Sequence, residues 1–411
     1  MDVDRHVLIA PASAARTIAR MKHYDVLVVG LGAVGSAAVH HLTAMGTSVL
    51  GIDRYAPPHP YGSTHGDTRI TREAVGEGEV YVPFVRRSHE LWHELEHETS
   101  TAVLHRTGGL LVRPASVTAS MHGADDFLRS TIDVAVAHGI DHRLLDADEL
   151  RREFPQFRVG VDDVGFFEPG AGYVLADDAV RAQLELAERR GATLRRDERV
   201  LSVVDTPAGA EVRTERERYG ADVVILAPGA WLPELIEPEL ARLFTVYRQV
   251  QSWFEPQRPG TAFEPDRCPI FIRQTGPGVD DVFYGFPAIH GPAGGVKIGT
   301  ERYDTPTAPG TVRRTVDPAE HAAAYERFVR GRVLGVTDTV LRGITCLYTV
   351  TPDFGFVVDR HPGREHVVVA AACSGHGFKH SAAVGEATAA LAIGGVPRLN
   401  LSAFSFARFT G

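Results

Sequence analysis

Residues 25–35 read Asp-Val-Leu-Val-Val-Gly-Leu-Gly-Ala-Val-Gly, and this run decides the fold. The short apolar, β-branched stretch 25–29 suits a strand buried in a parallel sheet. Gly30, Gly32 and Gly35 follow at a telling spacing. The first permits the tight turn, the second lets backbone approach a pyrophosphate, and the third lets a helix pack closely on the strand. A helical stretch then runs to Met45 and stops at Gly46, offering its N-terminal N–H groups and positive dipole end to phosphates. A second buried strand, from Ser48 to Ile52, ends at Asp53, placed to accept hydrogen bonds from an adenosine ribose. Strand, glycines, helix, strand and acid in this order read as a dinucleotide site. The motif does not separate NAD from FAD; the lack of a nicotinamide-type strand–helix signature near it leans the reading toward FAD.

Outward from this unit, an amphipathic helix is expected over 84–97, a strand over Gly108 to Val112 and a helix over 124–138. Asp177 is read as the cap of a helix carrying Val180, Leu184 and Ala187 and ended by Gly191. Segments 193–196, 200–204 and 210–214 read as an antiparallel meander turned at Pro207-Ala208-Gly209, and Asp222 to Ala227 as another buried strand. The many short strand candidates in 245–300, separated by Pro and Gly, read as a mixed sheet. Residues 318–330 are helical in pattern, strands fall near 354–358 and 366–371, and a last helix covers about 379–393. The expected fold is therefore α/β, with a Rossmann-type domain discontinuous over 21–100, 160–238 and 340–411. A second α+β domain, from 101–159 and 239–339, is built on a mixed or antiparallel sheet. Residues 1–20 read as an extension ahead of Met21-Lys22.

Bulk properties narrow the function. A chain of 411 residues suits two cores. With 43 Lys and Arg against 52 Asp and Glu, the net charge of −9 argues against a non-specific nucleic-acid surface. Cys268, Cys346 and Cys373 form no CxxC pair, so neither a disulfide framework nor a zinc site is expected, and a cytoplasmic setting is. No clustered ligand set suggests a metal. No run of 18 apolar residues suggests a spanning helix, and Asp2, Asp4 and Pro11 do not suit a secretory signal.

Five motifs then occur in one order. They are Ser63-Thr64-His65-Gly66-Asp67-Thr68-Arg69-Ile70-Thr71-Arg72, Tyr247-Arg248-Gln249-Val250 and Tyr284-Gly285-Phe286-Pro287. Arg342-Gly343-Ile344-Thr345-Cys346-Leu347-Tyr348-Thr349 and Ser374-Gly375-His376-Gly377-Phe378-Lys379 complete the set. In these, from about residue 22 to 408, the chain resembles the monomeric sarcosine oxidase and N-methyltryptophan oxidase family of flavoproteins.

The resemblance implies FAD held covalently, Cys346 sulfur to the 8α-methyl carbon of the isoalloxazine, through a thiolate that a nearby cation favours. It implies cofactor contacts at Gly30, Gly32, Gly35, Asp53, Arg54, Ser63, Thr64, Arg69, Val200, Gly229, Gly375, Gly377 and Lys379. It places Arg72 and Lys379 on the substrate carboxylate, the first as a planar fork and the second as a compact charge. Arg69 and Lys297 match residues flanking the flavin, with Lys297 at the oxygen-activating position, where a fixed positive charge favours superoxide. His65 and Tyr284 match pocket-shaping positions. The implied reaction is oxidation of the C–N bond of a secondary amino acid to an imine, with O₂ reduced to H₂O₂, by a monomer without membrane or nucleic-acid partners.

The chain departs from the sarcosine oxidase pattern in two places. The loop between Tyr284 and Lys297 is slightly longer, and Glu301 stands where sarcosine oxidase has a pocket histidine. Glu301 is expected either to meet a cation or the substrate ammonium, or to point to solvent beside Arg302. Three alternatives stay open: an oxidase of cyclic imino acids such as pipecolate, a flavin dehydrogenase using another acceptor, and an NAD or non-catalytic nucleotide-binding protein. The last explains the glycines but not Cys346 or the four cations.

Overall fold

The computed structural model describes residues 21–409, so the expected extension at 1–20 lies outside them. The opening strand, Lys22–Val29, runs parallel between Val49–Ile52 on one side and Arg218–Leu226 on the other. Thr193–Arg195 extends the sheet parallel beyond Val49–Ile52, and Val367–Ala371 extends it beyond Arg218–Leu226. Residues 26–29 and 49–52 are buried throughout, as continuous apolar runs covered on both faces must be. Helix Ala33–Ala44 packs against both Ala176–Arg189 and Ser381–Ala392. The last contact is very close, because a Cβ on Gly385 would lie 2.3 Å from that of Ala37.

Two local expectations change here. Thr193–Arg195 belongs to the parallel sheet, while the antiparallel meander consists of Val200–Thr206, Gly209–Thr214 and the first half of Arg218–Leu226. Asp177 does not cap its helix: the N-cap is Leu175, and Asp177 lies in the first turn, accepting from the Asp67 N–H at 3.1 Å. A first-turn carboxylate still complements the dipole, which is why the sequence looked like a cap.

The second sheet runs Pro306–Thr307, Thr245–Pro256, Val296–Thr300, Val282–Phe286, Ile270–Gln274, Gly109–Pro114, Asp163–Glu168, Arg143–Leu145. Val336–Val350 pairs along the other side of Thr245–Pro256. Neighbours are antiparallel except Ile270–Gln274 with Gly109–Pro114. By sheet membership, Asp163–Glu168 and Val336–Val350 go with this sheet, although sequence boundaries at 160 and 340 put most of both with the dinucleotide part. The helix expected over 318–330 is regular over Pro318–Ala324 and continues as a π-helical turn, Tyr325–Val329. Thr68–Thr71, Gly172–Leu175 and Leu104–Arg106 form a small third sheet that carries Arg69.

Candidate active site

The glycine turn behaves as its spacing demands. Gly30 has φ +87°, and a Cβ there would sit 2.5 Å from the Ala227 carbonyl oxygen. A Cβ on Gly35 would lie 1.8 Å from the Gly30 carbonyl oxygen, so only glycine lets the helix start against the turn. Gly32 differs: the nearest atom to an added Cβ is Thr64 Oγ1 at 3.7 Å, and the residue faces open space. That space is a cavity of about 1430 Å³ including its mouth. Gly32 is the N-cap of a 12-residue helix and has no side chain to cap it; Thr64 Oγ1 accepts from the Ala33 N–H at 3.4 Å, and the other first-turn N–H groups are left for a ligand. Asp53 is buried at the cavity wall, accepting from the Leu31 N–H and the Tyr55 N–H at 2.8 Å each. Arg54, Ser63, Thr64, Arg69, Val200, Gly229, Gly375 and Gly377 also line it. A cavity of this size with an open glycine, a helix start whose own N-cap offers no side chain, and a buried carboxylate fits a dinucleotide such as FAD. Sequence reasoning missed Tyr55, His59 and Trp231, which pack as an aromatic group on the same wall, with Tyr55 and Trp231 ring centroids 5.8 Å apart.

A smaller cavity of about 510 Å³ adjoins it. Arg69, Tyr348, Gly375 and Phe378 line both, so the two meet at these residues. Arg72, Lys379, Tyr284 and Glu301 line the smaller one, bringing the four expected substrate residues together. The cations are not free. Glu77, unforeseen from the sequence, stands between them: Arg72 Nη2 donates to Oε2 at 2.7 Å and Lys379 Nζ to Oε1 at 3.2 Å. Burial alone would raise the Glu77 pKa, but Arg72 and Lys379 hold it well below the usual carboxylate value. Burial pulls the Lys379 ammonium down to about 8, against the opposing charge of Glu77. Glu301 is buried, which excludes the solvent-facing alternative. Its Oε2 accepts from His122 Nε2 at 2.8 Å and from the Tyr303 hydroxyl at 2.7 Å. His122, also unforeseen, reaches Glu77 through Nδ1 at 3.3 Å. Burial disfavours its charge, yet Glu301 and Glu77 together raise its pKa to about 9.

The mixed sheet sets the remaining residues. Lys297 pairs with Trp253 and Phe286 on its two neighbouring strands, and its ammonium lies over both rings, 5.3 and 4.6 Å from their centroids. Nζ donates to the Gly66 and Thr68 carbonyls at 2.6 and 2.8 Å and to Thr68 Oγ1 at 3.2 Å. Burial, then Arg69, push this lysine well below its ordinary pKa. Three acceptors match the three N–H bonds of an ammonium and pull the other way, and on that geometry we assign it the charged form. Two residues along, a Cβ on Gly299 would meet the Tyr284 ring at 2.2 Å. The glycine lets that ring cross the strand, and the Tyr284 hydroxyl then accepts from Gln251 Nε2 at 3.1 Å and lies 3.3 Å from that of Tyr348.

Four expected residues stand behind the walls: Gly35, His65, Lys297 and Cys346 line neither cavity. His65 is buried with no partner at Nε2, and burial, Arg69 and Lys297 lower its pKa to about 3, so it is neutral. Cys346 is fully buried on strand Val336–Val350, opposite Gln249. Burial raises its thiol pKa, while Arg69 and Lys297 favour the thiolate. The cysteine that does line the larger cavity is Cys373, for which no role was expected. Among the described residues no group of His, Cys, Asp and Glu is arranged to hold a metal. No helix among them is long and apolar enough to cross a membrane.

The sequence profile of a family described as FAD dependent oxidoreductase matches residues 25–391. A monomeric sarcosine oxidase of Streptomyces avermitilis is 40% identical over 374 residues, covering 90% of this chain and 94% of that protein. Another, from Bacillus sp., is 36% identical over 389 residues, covering 94% and 96%. An N-methyl-L-tryptophan oxidase of Yersinia pestis is 33% identical over 387 residues, covering 94% and 99%. Two solved structures share the fold. NikD, described as an unusual amino acid oxidase, is 24% identical with a TM-score of 0.80, covering 93% of this chain and 97% of that one. L-proline dehydrogenase from P. horikoshii is 21% identical with a TM-score of 0.76, covering 95% and 98%.

Proposed function

The chain belongs to the FAD dependent oxidoreductase family, as a flavin enzyme acting on CH–NH groups, and from that premise we propose that it oxidises a secondary amino acid with O₂ as acceptor. The substrate class is an N-methyl amino acid, and the products are an imine and H₂O₂. The observation that carries this reading is the junction of a dinucleotide cavity with a small cavity holding Arg72, Lys379 and Glu77.

FAD, when bound, supplies the two-electron oxidation of the C–N bond and passes the electrons to O₂. Gly30, Gly32, Asp53, Arg54, Ser63, Thr64, Val200, Gly229 and Gly375 would hold it from the cavity wall, Gly35 would let the helix start against the turn, and Cys346, buried behind that wall, is read as the covalent anchor from the family resemblance. In this reading Arg72 and Lys379 receive the substrate carboxylate by charge-assisted hydrogen bonds, sharing Glu77 as counter-ion. Burial excludes water and strengthens those contacts. Tyr284, fixed by Gln251 and Tyr348, bounds the place of the reacting amine. The charge of Lys297, beside Arg69, favours the developing negative charge on oxygen. The enzyme acts as a cytoplasmic monomer, a reading supported by the name of its monomeric relatives and by its sparse cysteines.

The test is a panel of N-methyl and cyclic amino acids given to the purified yellow protein. Anaerobic bleaching of the flavin by a secondary amino acid, with peroxide released in air, is the expected result. No bleaching by any member sinks the reading, and bleaching without peroxide turns it into a dehydrogenase.

A further inference from the structure

The carboxylate of Glu301 has one oxygen committed and one open. Oε2 accepts from both His122 and Tyr303, whereas Oε1 has no hydrogen-bond partner among the described residues. Yet the side chain is only 5% exposed, and it lines the smaller cavity. Oε1 is not sealed off: it keeps accessible surface, so a ligand that fills the cavity and covers it must supply a donor or leave a carboxylate oxygen unsatisfied. The surrounding groups are fixed. Glu77 holds His122 from its other ring nitrogen. Gly375 packs so closely that a Cβ there would lie 2.8 Å from His122 Nε2 and 3.0 Å from the Tyr303 hydroxyl. His122 itself has φ +49°, a left-handed conformation that a side chain bearing Cβ adopts at a cost. Rigid, paired groups around a single open acceptor make a recognition element.

The other walls indicate what would carry the donor. Ile70, Met121, Ile272 and Phe286 give the cavity apolar sides. Because an imidazolium already lies against Glu301, a second full cation would stand beside it and be repelled; a neutral N–H or O–H would not. We propose that Glu301 Oε1, set by His122 and Tyr303, is a specificity-determining acceptor for a neutral N–H or O–H on the substrate's side chain. The preferred substrates then have an apolar or aromatic body ending in such a donor, and sarcosine, which has no side chain, is a poor one. This inference rests on the secondary-amino-acid reading above.

The test uses amine-free carboxylates that bind without turnover to the flavin-loaded enzyme. Indole-3-acetate is compared with 1-benzothiophene-3-acetate, and 3-hydroxyphenylacetate with 3-fluorophenylacetate, so that each pair keeps its shape and loses its donor. Binding is read from the flavin absorbance and from the melting temperature. In at least one pair the donor-bearing acid should bind roughly tenfold or more tightly. That ratio should fall severalfold in Glu301→Gln. Equal affinities within both pairs, or a ratio unchanged in Glu301→Gln, overturn the inference; the wild-type comparison decides even if the variant does not fold. Loss of donor preference while secondary amino acids still bleach the flavin overturns this inference alone. Absence of bleaching by every secondary amino acid overturns the reading beneath it.

Discussion

At the scale of single residues, the site turns on how burial and charge compete. Cys346 is buried behind the cavity wall with Arg69 and Lys297 favouring its thiolate, whereas Cys373 stands on the wall itself. Acid-denatured wild-type protein and Cys373→Ala should therefore carry the mass of FAD, and Cys346→Ala should not. Flavin mass kept by Cys346→Ala and lost by Cys373→Ala would move the attachment to the other sulfur. Lys297 offers a second test. Lys297→Met keeps much of the length and the apolar contacts with Trp253 and Phe286 but removes the charge. Anaerobic flavin reduction by substrate should change little, while reoxidation by O₂ should slow by about 10²–10³; an unchanged stopped-flow reoxidation rate refutes the role. Glu301 was partly legible, since it stands four residues beyond Lys297, where the sarcosine oxidase pattern has a pocket histidine. Glu77 and His122 were not. Glu77 sits in a Gly-Glu-Gly turn and His122 in a two-residue turn closed by the Met121–Ala124 bridge, and neither gives a periodic signal of a buried partner contributed from elsewhere in the chain.

Among the elements, the glycine turn separates what the fold needs from what a ligand needs. Gly35→Ala must displace the Gly30 carbonyl, whereas Gly32→Ala meets nothing closer than 3.7 Å. Gly35→Ala should lower the melting temperature of the apoprotein, with an overpacking cost of about 1–3 kcal/mol. Gly32→Ala should leave that temperature near wild type and weaken FAD binding in a fluorescence titration; tight flavin binding by Gly32→Ala would show that the ligand backbone does not pass there. The same contrast explains what the sequence could say about elements. The opening strand, helix and second strand carry their pattern locally and emerge as expected. Thr193–Arg195 does not, because three residues cannot show which of two neighbours they pair with, and its partner, Val49–Ile52, is remote in sequence. The division into two sheets was legible in outline, but strand Val336–Val350 joined the mixed sheet through eleven paired positions that no local signal marks.

For the molecule as a whole, the buried charges predict opposing pH effects. Lys379 has a folded pKa of about 8, below its ordinary 10.5. Its burial therefore costs stability at neutral pH, and the cost is relieved as pH rises from about 8 toward 10.5. His122 is raised from 6.5 to about 9, so its contribution is full below 6.5 and is lost as pH rises through 9. Glu77, held well below 4.5, contributes above that value and loses its contribution in acid. Binding of an amine-free carboxylate should weaken as pH rises through about 8, as Lys379 gives up its proton. His122→Gln should remove the loss of stability between pH 6.5 and 9, seen as a flatter melting-temperature profile over that range. A binding profile flat through pH 8, or an unaltered alkaline limb in His122→Gln, counts against these assignments.

Strand Val336–Val350 belongs to one sheet, while the glycine turn at 30–35 belongs to the other. A cofactor seated on the turn and bonded to Cys346 would thus bridge two separately built cores, by one covalent bond and one set of non-covalent contacts, at points more than three-quarters of the chain apart. Unlike a long-range disulfide, such a tether leaves the unfolded chain open, because only its Cys346 end is covalent; it stabilises the folded state, as a ligand that binds only that state does. The prosthetic group then serves as a mechanical tie as well as a reagent: held on the chain at Cys346, it meets the glycine turn at an effective concentration that free flavin lacks, and the holoprotein should resist unfolding whether or not FAD is added.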